Sequence, residues 1–154
     1  GLKFVGIHEV LDGLTAPSGV FGKISPDEQA LADIKRGVQV AKGVGALDVG
    51  QSVVVQQGIV LAVEAVEGTD AMIERCKKLK REGLGGVLVK MKKPAQEQRA
   101  DLPTIGTRTL VNAKKAGLRG VAVQAGYTLI VDRDALTKKA DDLGLFIIGI
   151  DGEQ

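Results

Sequence analysis

The sequence predicts an α/β domain of three layers, a mostly parallel sheet with one hairpin and helices on both faces. Three observations carry that expectation. Short apolar runs alternate with longer stretches whose apolar residues recur every three or four positions, as strands alternating with helices do. Several runs, such as Leu145-Phe146-Ile147-Ile148-Gly149-Ile150, are almost wholly apolar, which suits strands covered on both faces. The runs 52–56 and 59–63 flank Gln57-Gly58, the spacing of a tight hairpin.

Each element has a local reason. Phe4-Val5-Gly6-Ile7 has the composition of a short strand. Ser25-Pro26-Asp27-Glu28 opens a helix, with Ser25 as N-cap, Pro26 at the first helical position and Glu28 three residues after the cap. Leu31, Ile34, Val38 and Ala41 form its stripe, and Gly43 and Gly45 end it. After the hairpin, Thr69 or Asp70 caps a second helix with Met72, Cys76 and Leu79 inward, closed by Gly83. Gly86-Val87-Leu88-Val89 is a strand, and a third helix covers 107–116 before Gly117. Two further strands, Gly120-Val121-Ala122-Val123 and Thr128-Leu129-Ile130-Val131, precede a fourth helix. Asp132 caps it, Leu136, Ala140 and Leu143 share one face, and Gly144 stops it before the last strand.

Composition narrows the functional classes. A chain of 154 residues suits a single domain over 1–154, and 44% hydrophobic with 26% charged residues excludes a disordered tail. Three Phe, one Tyr and no Trp make the core aliphatic and leave no stacking platform for nucleic acid. The lone Cys76 falls on the apolar side of its helix and excludes an internal disulfide. No apolar run reaches the roughly 18 residues of a membrane span, and a cytoplasmic location is expected. Residues 1–70 carry 5 basic and 9 acidic side chains, whereas 71–110 carry 10 and 4. A basic middle third suits an anionic small molecule or an anionic membrane surface; for Lys77, Lys78, Lys80 and Arg81 the plain alternative is a solvated helix face. His8 is the only histidine, so a zinc cluster is not expected.

Two stretches concentrate chemistry. The first, from Lys90 to Gly106, follows a strand and sets Lys90, Lys92, Lys93, Arg99 and two glutamines against Asp101 and a Pro-Thr-Ile-Gly turn. A carboxylate there can bind a metal or orient a water, while the cations neutralise charge on a transferring phosphoryl group. The second, Glu64-Ala65-Val66-Glu67-Gly68-Thr69-Asp70, joins a strand to a helix start. Helix starts favour anions, yet this one brings Glu67 and Asp70. Carboxylates beside an anion site fit Mg²⁺ shared with phosphate oxygens. The bland readings are a solvated loop and ordinary helix capping.

Five motifs occur in order: 4–11, Ser25-Pro26-Asp27, Leu47-Asp48-Val49-Gly50-Gln51, 63–70 and Asp101-Leu102-Pro103-Thr104-Ile105-Gly106. Together they resemble the C-terminal domain of the Mg²⁺-dependent UDP-2,3-diacylglucosamine pyrophosphatases of alphaproteobacteria and some other Gram-negative bacteria. The resemblance implies hydrolysis of UDP-2,3-diacylglucosamine to UMP and 2,3-diacylglucosamine 1-phosphate (lipid X) in lipid A biosynthesis. It implies Asp101 as the essential carboxylate, and Glu67, Asp70 and Asp101 as a Mg²⁺ set. Gly68, Thr69, Lys90 and Thr104 would meet phosphate or sugar, with Thr104 also capping the third helix. A further N-terminal domain is expected as partner, with the ligand between the two, together with peripheral membrane contact and a homodimer. The alternative is a non-catalytic module that binds a lipid or phosphosugar or makes a dimer interface.

Overall fold

A computed structural model describes residues 14–94 and 102–152; the strand expected at 4–7 lies outside them. In chain order the elements are β1 (Gly19–Val20), α1 (Glu28–Ala46), β2 (Ser52–Gln56), β3 (Ile59–Val63), α2 (Thr69–Leu79) and β4 (Val87–Lys90). They continue with β5 (Thr104–Ile105), α3 (Thr107–Lys115), β6 (Gly120–Gln124), β7 (Leu129–Ile130), α4 (Arg133–Leu143) and β8 (Phe146–Ile150). Six strands form one sheet in the order β1-β8-β6-β4-β2-β3. The pairings make β3, β4, β6 and β8 point one way and β1 and β2 the other, so the sheet is mostly parallel.

Strand alternation sorts side chains into two cores. Val53, Val55, Val87, Val89 and Ala122 meet Ala30, Ile34, Val38 and Ala41 of α1 on one face. Val54, Leu88, Val121 and Val123 meet Met72, Ile73 and Cys76 of α2, Leu110 and Ala113 of α3, and Leu136 and Ala140 of α4 on the other. Helices therefore cover both faces, as the sequence predicts, and Cys76 is core.

The hairpin is also as predicted. Gln57 (φ +51) and Gly58 (φ +80) both lie in the left-handed region, the requirement of a type I′ turn. Asp33 of α1, 1% exposed, accepts the Gln57 N–H at 3.0 Å and the Gly58 N–H at 2.8 Å. One buried carboxylate thus fastens the turn to the opposite layer.

Several boundaries differ from the sequence reading. Helix α1 is capped by Asp27, not Ser25: its Oδ1 accepts the Ala30 N–H at 2.8 Å, while Arg119, just before β6, holds both its oxygens. The helix also passes through Gly43 and Gly45 to Ala46; a helical glycine costs only about 1 kcal/mol relative to Ala. Leu31 and Leu79 are half-exposed, and Ala30 and Ile73 take the buried places. The strand around Leu129 does not enter the main sheet; it pairs in parallel with β5, within a stretch that reads as a turn. Asp132 and Gly144 bound α4 as expected, the cap accepting the Ala135 N–H at 3.0 Å.

Candidate functional site

Strands β3, β4, β6 and β8 end together at Val63, Lys90, Gln124 and Ile150. Ligands of open α/β sheets bind beyond this carboxyl edge. The loops leaving β3 and β4 lead into α2 and α3, and both helices have a glycine N-cap, Gly68 and Gly106, with no side-chain cap. Thr69 and Asp70 are the first helical residues of α2, not its cap. Thr104 lies in β5 and does not cap α3. A glycine offers no side-chain oxygen to the first-turn N–H groups, so these two helix starts keep more capacity for an anion than a side-chain-capped one. By contrast, α1 and α4 close theirs with Asp27 and Asp132. Gly68 sits at φ +88, where a side chain would be strained. Arg108 Nε of α3 approaches Asp70 Oδ2 of α2 at 3.5 Å, which brings the two starts side by side.

Lys90 ends β4 inside this group. Burial pushes its ammonium below the ordinary lysine pKa, and the carboxylates of Glu64 and Asp70 oppose that shift. Its Nζ donates to the Thr104 carbonyl at 3.2 Å. A partly desolvated cation with donor capacity to spare can stabilise phosphate charge more strongly than one in water.

Around Lys90 a polar network joins three elements. Glu64 Oε1 accepts the Gln51 N–H at 2.8 Å, and Oε2 accepts the Thr69 hydroxyl at 3.1 Å. The Thr69 Oγ1 also lies 3.0 Å from the fully buried Ser52 Oγ. The Ser52 carbonyl receives the Glu64 N–H, and Ser52 is the register partner of Lys90. Gly50 admits this crowding: a Cβ there would lie 2.1 Å from the Glu64 carbonyl oxygen.

Of the residues picked from the sequence, Gly68, Thr69, Asp70, Lys90 and Thr104 fall on this edge. Glu67 belongs to the same turn but faces Arg75, whose Nη2 is 3.0 Å away, and accepts the Ala65 N–H at 3.1 Å. Those bonds, the backbone N–H first, hold its carboxyl below the usual range. Asp101, Arg99, Gln96 and Gln98 lie outside the described residues. Among the described residues no three His, Cys, Asp or Glu side chains group as a metal site. Lys93 pairs with Asp48 at 2.9 Å, and Lys92 stands over the Tyr127 ring, 4.8 Å from its centre. The Lys92 N–H donates to the buried Gln124 side chain at 3.1 Å.

Ser52, Arg108 and Gln124 were not candidates from the sequence, and Glu64, inside the candidate stretch 64–70, carried no role of its own there. Ser52 reads as the first residue of a strand. Only the register that sets Ser52 beside Lys90 shows where both belong.

The profile of the family described as the LpxI C-terminal domain matches residues 17–148. The UDP-2,3-diacylglucosamine pyrophosphatase LpxI of Caulobacter vibrioides (strain ATCC 19089 / CIP 103742 / CB 15) is 48% identical over the whole of this chain. The chain spans 57% of that relative's length.

Proposed function

The chain belongs to the LpxI C-terminal domain family, and from that premise we propose that it supplies one half of a UDP-2,3-diacylglucosamine pyrophosphatase. Water adds to one phosphorus, the bridging P–O bond breaks, and UMP and 2,3-diacylglucosamine 1-phosphate leave. The observation that carries this reading is the convergence of two glycine-capped helix starts on a partly buried lysine at the carboxyl edge. That arrangement suits a ligand with two linked phosphates.

In this reading the Gly68–Thr69 turn and the Gly106 turn present backbone N–H groups to the phosphates. Lys90 neutralises the charge that builds on them, and Thr104 borders the sugar side. Asp101, from the Asp-Leu-Pro-Thr-Ile-Gly motif, orients the attacking water. Both oxygens of Glu64 and the Oε1 of Glu67 are engaged by neighbours, whereas the contact of Asp70 with the exposed Arg108 is long. Asp70 and Asp101 would therefore hold the Mg²⁺, with Glu67 alongside in the turn. When bound, the ion withdraws charge from the phosphate oxygens. The rest of the protein, which the longer relative carries, would close the site over uridine.

Among the described residues no helix is long and apolar enough to cross a membrane. A cytoplasmic protein that meets its lipid substrate peripherally fits this reading, as does a homodimer.

The test is Asp101→Ala in the protein carrying both halves. UMP release should fall by about 10³-fold or more with the fold intact, since the water-orienting group acts in the transition state. Unchanged release would favour the non-catalytic module.

A further inference from the structure

We propose that Glu64 is a positioning residue of this site, and that the Thr69 hydroxyl serves Glu64 and not the substrate. The inference rests on the function proposed above and assigns the work within the β3–α2 junction. A carboxylate is acceptor-only, so the Thr69 proton points at Glu64 Oε2, 3.1 Å away. The Ser52 hydroxyl, 3.0 Å from Thr69 Oγ1, then supplies its own proton to that oxygen. Neither proton remains for a phosphate.

The other Glu64 oxygen is fixed by the Gln51 N–H at 2.8 Å. Residue 51 in turn receives the Met91 N–H on its carbonyl at 2.9 Å, directly after Lys90. Glu64 thus ties the first residue of α2 to the end of β4, and its charge faces Lys90 across Ser52. The clamp holds the lysine and the α2 amides in one orientation toward the same anion. Such supporting partners around a charged site are worth on the order of 10–100-fold when removed.

The experiment uses the protein with both halves and three variants: Glu64→Gln, Thr69→Val and Thr69→Ser. Steady-state UMP release gives KM and kcat, and titration with inorganic pyrophosphate gives a dissociation constant that needs no turnover. Glu64→Gln and Thr69→Val should each raise KM and the pyrophosphate dissociation constant by at least ~10-fold, with kcat changed much less. Thr69→Ser keeps the hydroxyl and should recover most of that loss. A merely structural role would lower the active fraction, and so kcat, while leaving KM and pyrophosphate binding alone; that result overturns the proposal. A Thr69→Val protein that binds pyrophosphate as tightly as the unsubstituted one also overturns it. If the unsubstituted protein releases no UMP, the reading of function fails, and the titration still decides the role of Glu64.

Discussion

The two edges of the sheet are built from similar residues and behave differently. At the amino edge the side chains of Asp33, Gln56 and Asp27 are closed by partners inside the fold. Asp33 holds the hairpin amides, and the buried Gln56 side chain bonds Arg81 N and O and Leu84 O, each at 2.8 Å. Asp27 caps α1 and is gripped by Arg119. At the carboxyl edge two helix starts lack a capping side chain. There Lys90 is partly desolvated, with one hydrogen bond among the described residues. The comparison teaches where this sequence places stability and where it leaves binding capacity, which in an α/β sheet belongs beyond the strand ends.

The contrast breaks first at Asp33. Asp33→Ala removes the carboxylate acceptor of the Gln57 and Gly58 amides, two partly buried charge-assisted bonds, and the protein should lose about 3 kcal/mol of stability in urea unfolding. Its folded fraction should keep the unsubstituted KM. An equal loss of pyrophosphate binding would erase the distinction between the edges.

Lys90→Met should act in the opposite sense. UMP release by the two-half protein should drop about 10²-fold, the scale of losing one preorganised electrostatic group, while stability stays level or rises. Burial lowers the Lys90 pKa on folding, so the unfolded chain binds this proton more tightly. Stability from this group therefore increases as pH climbs toward the ordinary lysine value of 10.5. Melting temperatures across that range should rise less in Lys90→Met than in the unsubstituted protein.

The smallest effect is at Asp27, whose pKa is held down to about 2, mainly by the Arg119 side chain and then by the Ala30 N–H. A depressed carboxyl stabilises the fold above its ordinary value of 3.8 and loses that contribution as pH falls toward 2. Asp27→Asn should flatten the melting temperature over this acid window and leave it little changed in slope above pH 5.

Much of the fold was legible because it follows local periodicity. The alternation of Val53, Val54 and Val55, the stripe Ile34, Val38, Ala41 and the Gln57-Gly58 turn each depend on neighbours in sequence. Strands of two residues, such as β1 and β5, have no period to detect, and the run 128–131 announces β7 but not its place outside the main sheet. Caps set by distant partners also escape: Asp27 prevails over Ser25 with the help of Arg119, 92 residues away. At the site, the turn 64–70 and Lys90 stood out by residue type. The division of labour between Glu64 and Glu67 did not, because it is decided by which cation each carboxylate meets. Glu67 has Arg75 eight residues on, whereas Glu64 reaches Lys90 only through the β2–β4 register.

The most direct measurement of the central claim is UMP release from UDP-2,3-diacylglucosamine with Mg²⁺, by this chain alone and joined to the remainder of its protein. The account predicts release by the joined form and its loss on Lys90→Met with the fold retained. Absence of release from either form, both being folded, would contradict it and leave the carboxyl edge as a binding surface without chemistry.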